Sequence, residues 1–413
     1  MMKMDELLED VSKITIAEYD FELDNIINSN NNYDVVTLSR GLPGYILLVS
    51  ELNSNHVSSY EEKLTSYIEI LVSILSERGV MTGSLYSGAA GIGISLLHLN
   101  ENKYKRLVES LDEYIEYFVS EFLPSIDTGN MSPTDYDIIE GVSGILVYIS
   151  LHDRERLKDV QRKIVNFLTS SFKEDIWNDI FYVTSQNQMS ESESVLFPNG
   201  CLNLGVAHGL AGVGIALAYT MIKGNFSCQI EETLRHIIDV YEQFETPSLY
   251  TWKDGLDIDE LKQGYSNSKF LPNIDAWCYG SPGISLLYMY CGVALNDEYL
   301  KNKAVEILKT SMERQAGIDS PILCHGYAGL LEICQFFKYV YQTDEFDKYI
   351  YDFDKKITQY LQSKRNNELQ IISQFGYLNG DVGVLLSMLH IYSKNVNTYW
   401  QAGLLLFKDI IFE

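Results

Sequence analysis

The chain has 413 residues, 46% of them hydrophobic, and its 57 acidic against 31 basic side chains give a formal net charge of −26. That balance argues against a nucleic-acid partner, because phosphate binding needs cations; it suits a neutral or cationic partner, or simply keeps a large body in solution. Six cysteines in this length make no disulfide scaffold, and no apolar run reaches the ~20 residues that cross a bilayer.

In chain order, the first ten residues are acidic and amphipathic, unlike a signal peptide, so a cytoplasmic protein is expected. A G-x-x-G pair then recurs seven times, at Gly41/Gly44, Gly88/Gly91, Gly141/Gly144, Gly209/Gly212, Gly280/Gly283, Gly326/Gly329 and Gly380/Gly383. An apolar run follows each, for example 284–290 or 384–389. Charged stretches such as 60–78 and 154–172 lie between the runs, and their apolar residues at three-to-four spacing predict amphipathic helices. Successive first glycines are 46 to 71 residues apart, the length of a helical hairpin with its loops, so the chain reads as a repeat architecture. Inner helices this apolar need cover from both sides. The expected fold is therefore all-α: a closed α/α toroid of seven hairpins, about fourteen helices, in one domain over 1–413.

Two spacings are long and mark insertions at about 174–200 and 246–275. The first holds a strand-like run at 180–184 and then the polar 185–194. The second mixes Pro, Gly, Asp and aromatic residues with no helical period. Both are expected to run over one face of the ring, where lids and binding loops occur.

The residue before each first glycine is polar in all seven repeats: Arg40, Ser87, Glu140, His208, Tyr279, His325 and Asn379. Rotation about a ring would gather them at one end, where the glycines let backbones approach. Cys278 and Cys324 share a register two residues before the first glycines of the fifth and sixth repeats, and His325 adjoins Cys324. Two thiolates and an imidazole are three of zinc's four ligands, which leaves an open position of the catalytic kind. Cys201, Cys228, Cys291 and Cys334 are expected as small buried hydrophobes, and His56, His98, His152, His236 and His390 as structural residues. His208 stands apart because it fills the slot that His325 fills. Asp135 and Asp137 precede the third repeat, where an acid is either a helix cap or a functional carboxylate. The glycine pairs lack the Lys-Ser/Thr of a phosphate loop.

Four motifs taken together, Asp137-Ile138-Ile139-Glu140-Gly141-Val142-Ser143-Gly144, Asn203-Leu204-Gly205-Val206-Ala207-His208-Gly209-Leu210-Ala211-Gly212, Trp277-Cys278-Tyr279-Gly280 and Cys324-His325-Gly326-Tyr327-Ala328-Gly329, resemble those of the lanthionine synthetase C-like family. Within it they are most similar to the stand-alone lantibiotic cyclases, over essentially the whole chain. The resemblance implies an α/α toroid with one zinc per chain on Cys278, Cys324 and His325. It implies a peptide cyclase that forms lanthionine and methyllanthionine. Cysteine thiols of a ribosomally made antibiotic precursor add to dehydroalanine and dehydrobutyrine in the same peptide. On this reading His208 is the acid/base, Asp137 its orienting carboxylate, Tyr279 a donor to the enolate or the substrate backbone, and Trp277 a wall of the substrate pocket. The implied partners are the dehydrated precursor peptide, a lantibiotic dehydratase and an ABC transporter, in a complex at the inner face of the cell membrane.

One position departs from the family. An arginine commonly stands four residues before the first zinc cysteine, and here Ile274 occupies that place. The role of that cation is then either absent or filled from elsewhere, by Arg40 at the pocket or by Lys269. Rival readings make different demands. A zinc prenyltransferase-like α/α barrel needs a carboxylate ligand and a partner subunit. A non-catalytic or glutathione-adding cyclase-like binding protein shares the zinc ligands and differs in turnover. An α/α glycosidase needs paired carboxylates and has no use for the cysteines.

Overall fold

Every G-x-x-G opens a helix in the computed structural model, and the reason is steric. A Cβ on Gly144, Gly212, Gly283, Gly329 or Gly383 would overlap the carbonyl oxygen six residues earlier, on Ile138, Val206, Trp277, Leu323 or Tyr377. The loop before each of these five inner helices thus folds back across that helix's first turn, which only a residue without a side chain permits. The structure describes residues 4–28, 33–55, 57, 59–99, 101–170, 181–224, 227–265, 272–368, 375–393 and 396–410. His56, Lys269 and the 174–180 and 266–271 parts of the insertions lie outside them.

The described helices begin with α1 (Met4–Asn28), α2 (Leu42–Ser54), α3 (Glu61–Arg78), α4 (Ala89–Leu96), α5 (Glu101–Ser125), α6 (Pro133–Tyr136), α7 (Val142–His152) and α8 (Lys158–Ser170). They continue with α9 (Glu191–Leu196), α10 (Leu210–Ile222), α11 (Ser227–Phe244), α12 (Ile258–Gln263), α13 (Ser281–Ala294), α14 (Glu298–Arg314), α15 (Tyr327–Tyr341), α16 (Asp347–Arg365) and α17 (Asp381–Ser393). The seven that follow glycine pairs, α2, α4, α7, α10, α13, α15 and α17, are buried almost all round; in α10 every residue from Leu210 to Thr220 is buried. Their partners are amphipathic, and α8 buries Val160, Gln161, Ile164, Val165, Leu168 and Thr169 as one stripe.

The chain divides into two compact units, one of residues 1–82, 86–111 and 319–409, the other of 83–85, 112–318 and 410–413. In the first, α4, α2, α17 and α15 pack side by side in that order, with α3 on α2, α16 on α15 and α1 against α16 and α17. In the second, α7, α10 and α13 form the inner row and α8, α11 and α14 cover them one to one. Among the described residues no helix is long and apolar enough to cross a membrane.

The insertions converge within the second unit. Strands β1 (Tyr182–Val183), β2 (Cys201–Asn203) and β3 (Gly255–Leu256) form one antiparallel sheet in that order, with Val183 opposite Cys201 and Asn203 opposite Gly255. Each insertion also holds a short helix that its composition does not announce. α9 starts at Ser190, whose hydroxyl accepts the Glu193 N–H. α12 starts at Asp257, which accepts from Asp259 and Glu260. A helix of six residues is too short for a period to show, and its cap defines it instead.

Candidate active site

Asp137 follows the one-turn helix α6, whose start is closed by a capping box between Ser132 and Asp135. Asp135 is therefore a cap. Asp137 is not: its side chain is fully buried, its Oδ1 accepts the Glu140 N–H (2.7 Å) and the Gly141 N–H (2.8 Å), and its Oδ2 lies 2.6 Å from His208 Nδ1. Backbone donors at the head of α7 thus anchor the carboxylate, and the carboxylate orients the ring. His208 directly precedes Gly209, the N-cap of α10, and its carbonyl accepts the Tyr136 hydroxyl at 3.3 Å. Burial alone would lower the His208 pKa, but the hydrogen bond and charge of Asp137, helped by Glu193 and Cys278, hold it above its ordinary value. Nε2 is left to face other chemistry.

Repeat register persists in the loop contacts. The Val206 and Ala207 N–H groups donate to the Cys278 carbonyl at 2.9 and 3.3 Å, and those of Leu323 and Cys324 to the Leu378 carbonyl at 3.1 and 3.0 Å. In both cases residues three and two before a first glycine donate to the residue two before the next one. This bonding ties the His208 loop to the Cys278 loop within the second unit. Tyr279 accepts a hydrogen bond from Asn203 Nδ2 at 2.8 Å, and burial pushes its hydroxyl pKa well up despite that bond. Gly280 follows with φ +99°, a conformation other residues resist, and its missing Cβ makes room for the Ile274 carbonyl.

Cys278, Cys324 and His325 each offer a ligand atom, and these atoms lie within 4.8 Å of one another. Cys278 is buried and the other two are partly exposed. The donor set suits zinc: two sulfurs and an imidazole are its preferred ligands, and a tetrahedral ion needs ligand atoms about this close. Among the described residues no carboxylate joins the group within that distance.

Sequence reasoning missed two acids here. Asp254, just before β3, is pushed up to about 6 by burial and by the charges of Cys278 and Glu193. Glu193, on α9, also acts electrostatically on His208 and Tyr279. One comes from each insertion, and their only signal was position in segments expected to cross a functional face. Trp277 is 1% exposed. Arg40 is exposed and pairs with Asp34 at 3.7 Å. Ile274 is partly exposed. The buried carboxylate beside it, Asp275, takes Arg314 in a bidentate pair at 2.7 and 2.8 Å. Cys201, Cys291 and Cys334 are buried, whereas Cys228 is exposed. It falls off the stripe that buries Ile230, Leu234, Ile237 and Tyr241 on α11. His152 and His390 are structural, held by Asp112 (3.4 Å) and Glu332 (2.9 Å).

The family model described as lanthionine synthetase C-like protein matches residues 33–405. The Nisin biosynthesis protein NisC of Lactococcus lactis subsp. lactis is 46% identical over a 419-residue alignment that covers 100% of this chain and 98% of the relative. A solved structure of nisin cyclase superposes with a TM-score of 0.88 at 45% identity, covering 97% of each chain. Its α/α toroid is the fold class of this chain.

Proposed function

The chain belongs to the lanthionine synthetase C-like family, and on that footing we propose that it is a zinc-dependent peptide cyclase closing thioether rings in a dehydrated lantibiotic precursor. The observation that carries the reading is the Cys278–Cys324–His325 group in a chain so similar to a nisin cyclase. Those three residues would hold one zinc. The metal, when bound, would supply Lewis acidity that favours the thiolate form of the substrate cysteine.

The rest of the chemistry falls to the chain's own side chains. The substrate sulfur adds to the β-carbon of a dehydro residue, the alkene electron pair moves to the neighbouring carbonyl oxygen, and the α-carbon then takes a proton. One proton leaves the thiol and one arrives at carbon, so a single acid/base group suffices. His208 is that group. Asp137 fixes its Nδ1–H and favours the imidazolium, which presents a proton at Nε2. Tyr279 donates to the enolate oxygen. Burial, joined by the charges of Glu193 and Asp254, keeps the Tyr279 phenol protonated and able to donate.

The partners on this reading are the precursor peptide and, on family resemblance alone, a dehydratase and an ABC transporter at the inner membrane face. Ring closure leaves peptide mass unchanged and consumes thiols. A dehydrated, cysteine-containing peptide incubated with the protein should therefore resist a thiol-alkylating agent in mass spectrometry. Full alkylation, equal to the protein-free control, overturns the reading.

Ile274→Arg should fold, bind zinc and cyclise at least as fast as wild type, because a partly exposed site lets a long side chain reach water. Melting temperature and ring-closing rate, compared with Ile274→Ala, check this. An unstable, inactive Arg variant beside a healthy Ala variant would show a pocket rebuilt around an apolar side chain, with a charge buried at a cost of several kcal/mol.

A further inference from the structure

Asn203 ends β2, and its amide faces two partners. Oδ1 accepts the Gly205 N–H at 2.9 Å, while Nδ2 lies 2.8 Å from Tyr279 Oη. The assignment of the two ends follows from chemistry: a backbone N–H can only donate, so the oxygen must face Gly205 and the NH2 must face the phenol. The side chain is also locked in place. It is 8% exposed, paired across the sheet with Gly255, and its oxygens occupy the space where Gly209 would carry a Cβ.

A phenol oxygen that accepts from an NH2 group keeps its own hydrogen for another acceptor. Among the described residues, Tyr279 donates to none. Asn203 stands five residues before His208, and Tyr279 directly follows Cys278, so this bond spans the acid/base loop and a ligand loop.

We propose that Asn203 is a positioning residue for ring closure: by donating to Tyr279 it makes the phenol a hydrogen-bond donor to the enolate oxygen. The inference rests on the role of Tyr279 stated above. In the step concerned the C–S bond forms and the alkene pair moves to the carbonyl oxygen. The phenol hydrogen bond stabilises that charge until the α-carbon is protonated, and the phenol keeps its proton throughout.

Asn203→Asp is the informative substitution. It preserves shape and the acceptor for Gly205 but turns the donating end into an acceptor, which draws the phenol hydrogen to itself. It should lower kcat at least as much as Tyr279→Phe does, on the order of 10-fold or more, with KM little changed. In the Tyr279→Phe background it should cost almost nothing further. Zinc content and melting temperature should stay near wild type. Asn203→Ala provides a second variant, whose smaller loss must also vanish in the Tyr279→Phe background. Wild-type kcat in Asn203→Asp overturns the proposal, as do equal losses in both backgrounds. Wild-type turnover in Tyr279→Phe removes the Tyr279 role and this proposal with it, and leaves the cyclase reading standing.

Discussion

Cys324→Ala should lose its zinc and its ring-closing activity while the helices stay folded. Elemental analysis of the purified wild-type chain should find about one equivalent of zinc, and the variant only a small fraction of that, since one of three protein ligands is gone. The fold should survive for a reason visible in the loop. Cys324 is held by its backbone N–H to the Leu378 carbonyl at 3.0 Å, and Leu323 by the same acceptor at 3.1 Å. Neither bond needs the thiol. α15 and α17 meanwhile bury their apolar faces independently of any metal. The melting temperature should therefore fall only by what bound zinc contributes through mass action. Full zinc retention in Cys324→Ala would sink the ligand assignment. Global unfolding would show that the metal, rather than the apolar seams, holds this region together.

His208→Ala should keep zinc and cyclise about 10²–10⁴-fold more slowly, the range expected when a general acid/base is removed. Part of the cost is structural, because Asp137 Oδ2 loses its partner in a fully buried site, a penalty of about 1–3 kcal/mol. Retained zinc and a measured melting temperature separate that cost from catalysis. Wild-type rates would make His208 merely structural. Asp137→Asn should be milder and diagnostic. Its oxygen would keep the Glu140 and Gly141 N–H groups, so its NH2 would face His208 Nδ1 and oppose protonation there. The folded His208 pKa is raised by Asp137, so the limb of activity that needs the imidazolium should shift to lower pH in the variant. The same sign governs stability. The pair's contribution is fully present below the unfolded value near 6.5 and is lost as pH rises through the folded value. A pH profile identical to wild type would deny Asp137 its orienting role.

Local demands made much of this protein readable in one dimension. Five of the seven second glycines, Gly144, Gly212, Gly283, Gly329 and Gly383, are required by a carbonyl six residues away, and the apolar runs by burial nearly all round, so the pairs and the inner helices stand out without coordinates. The gathering of Cys278, Cys324 and His325 was legible for the same reason, since the two cysteines share a register that the repeated loop bonding preserves. Cys228 was misplaced because a small apolar residue type says less than its phase on α11.

The tertiary structure alone decided the meeting of the two insertions in one sheet, the charge of Glu193 acting on His208 and Tyr279 and that of Asp254 on Tyr279, and the polarity of the bond from Asn203 to Tyr279, 76 residues apart in the chain. Periodicity and steric exclusion act between near neighbours and leave a pattern in the sequence. The direction of a hydrogen bond and the field of a buried charge depend on which distant groups approach, and no local pattern encodes that approach.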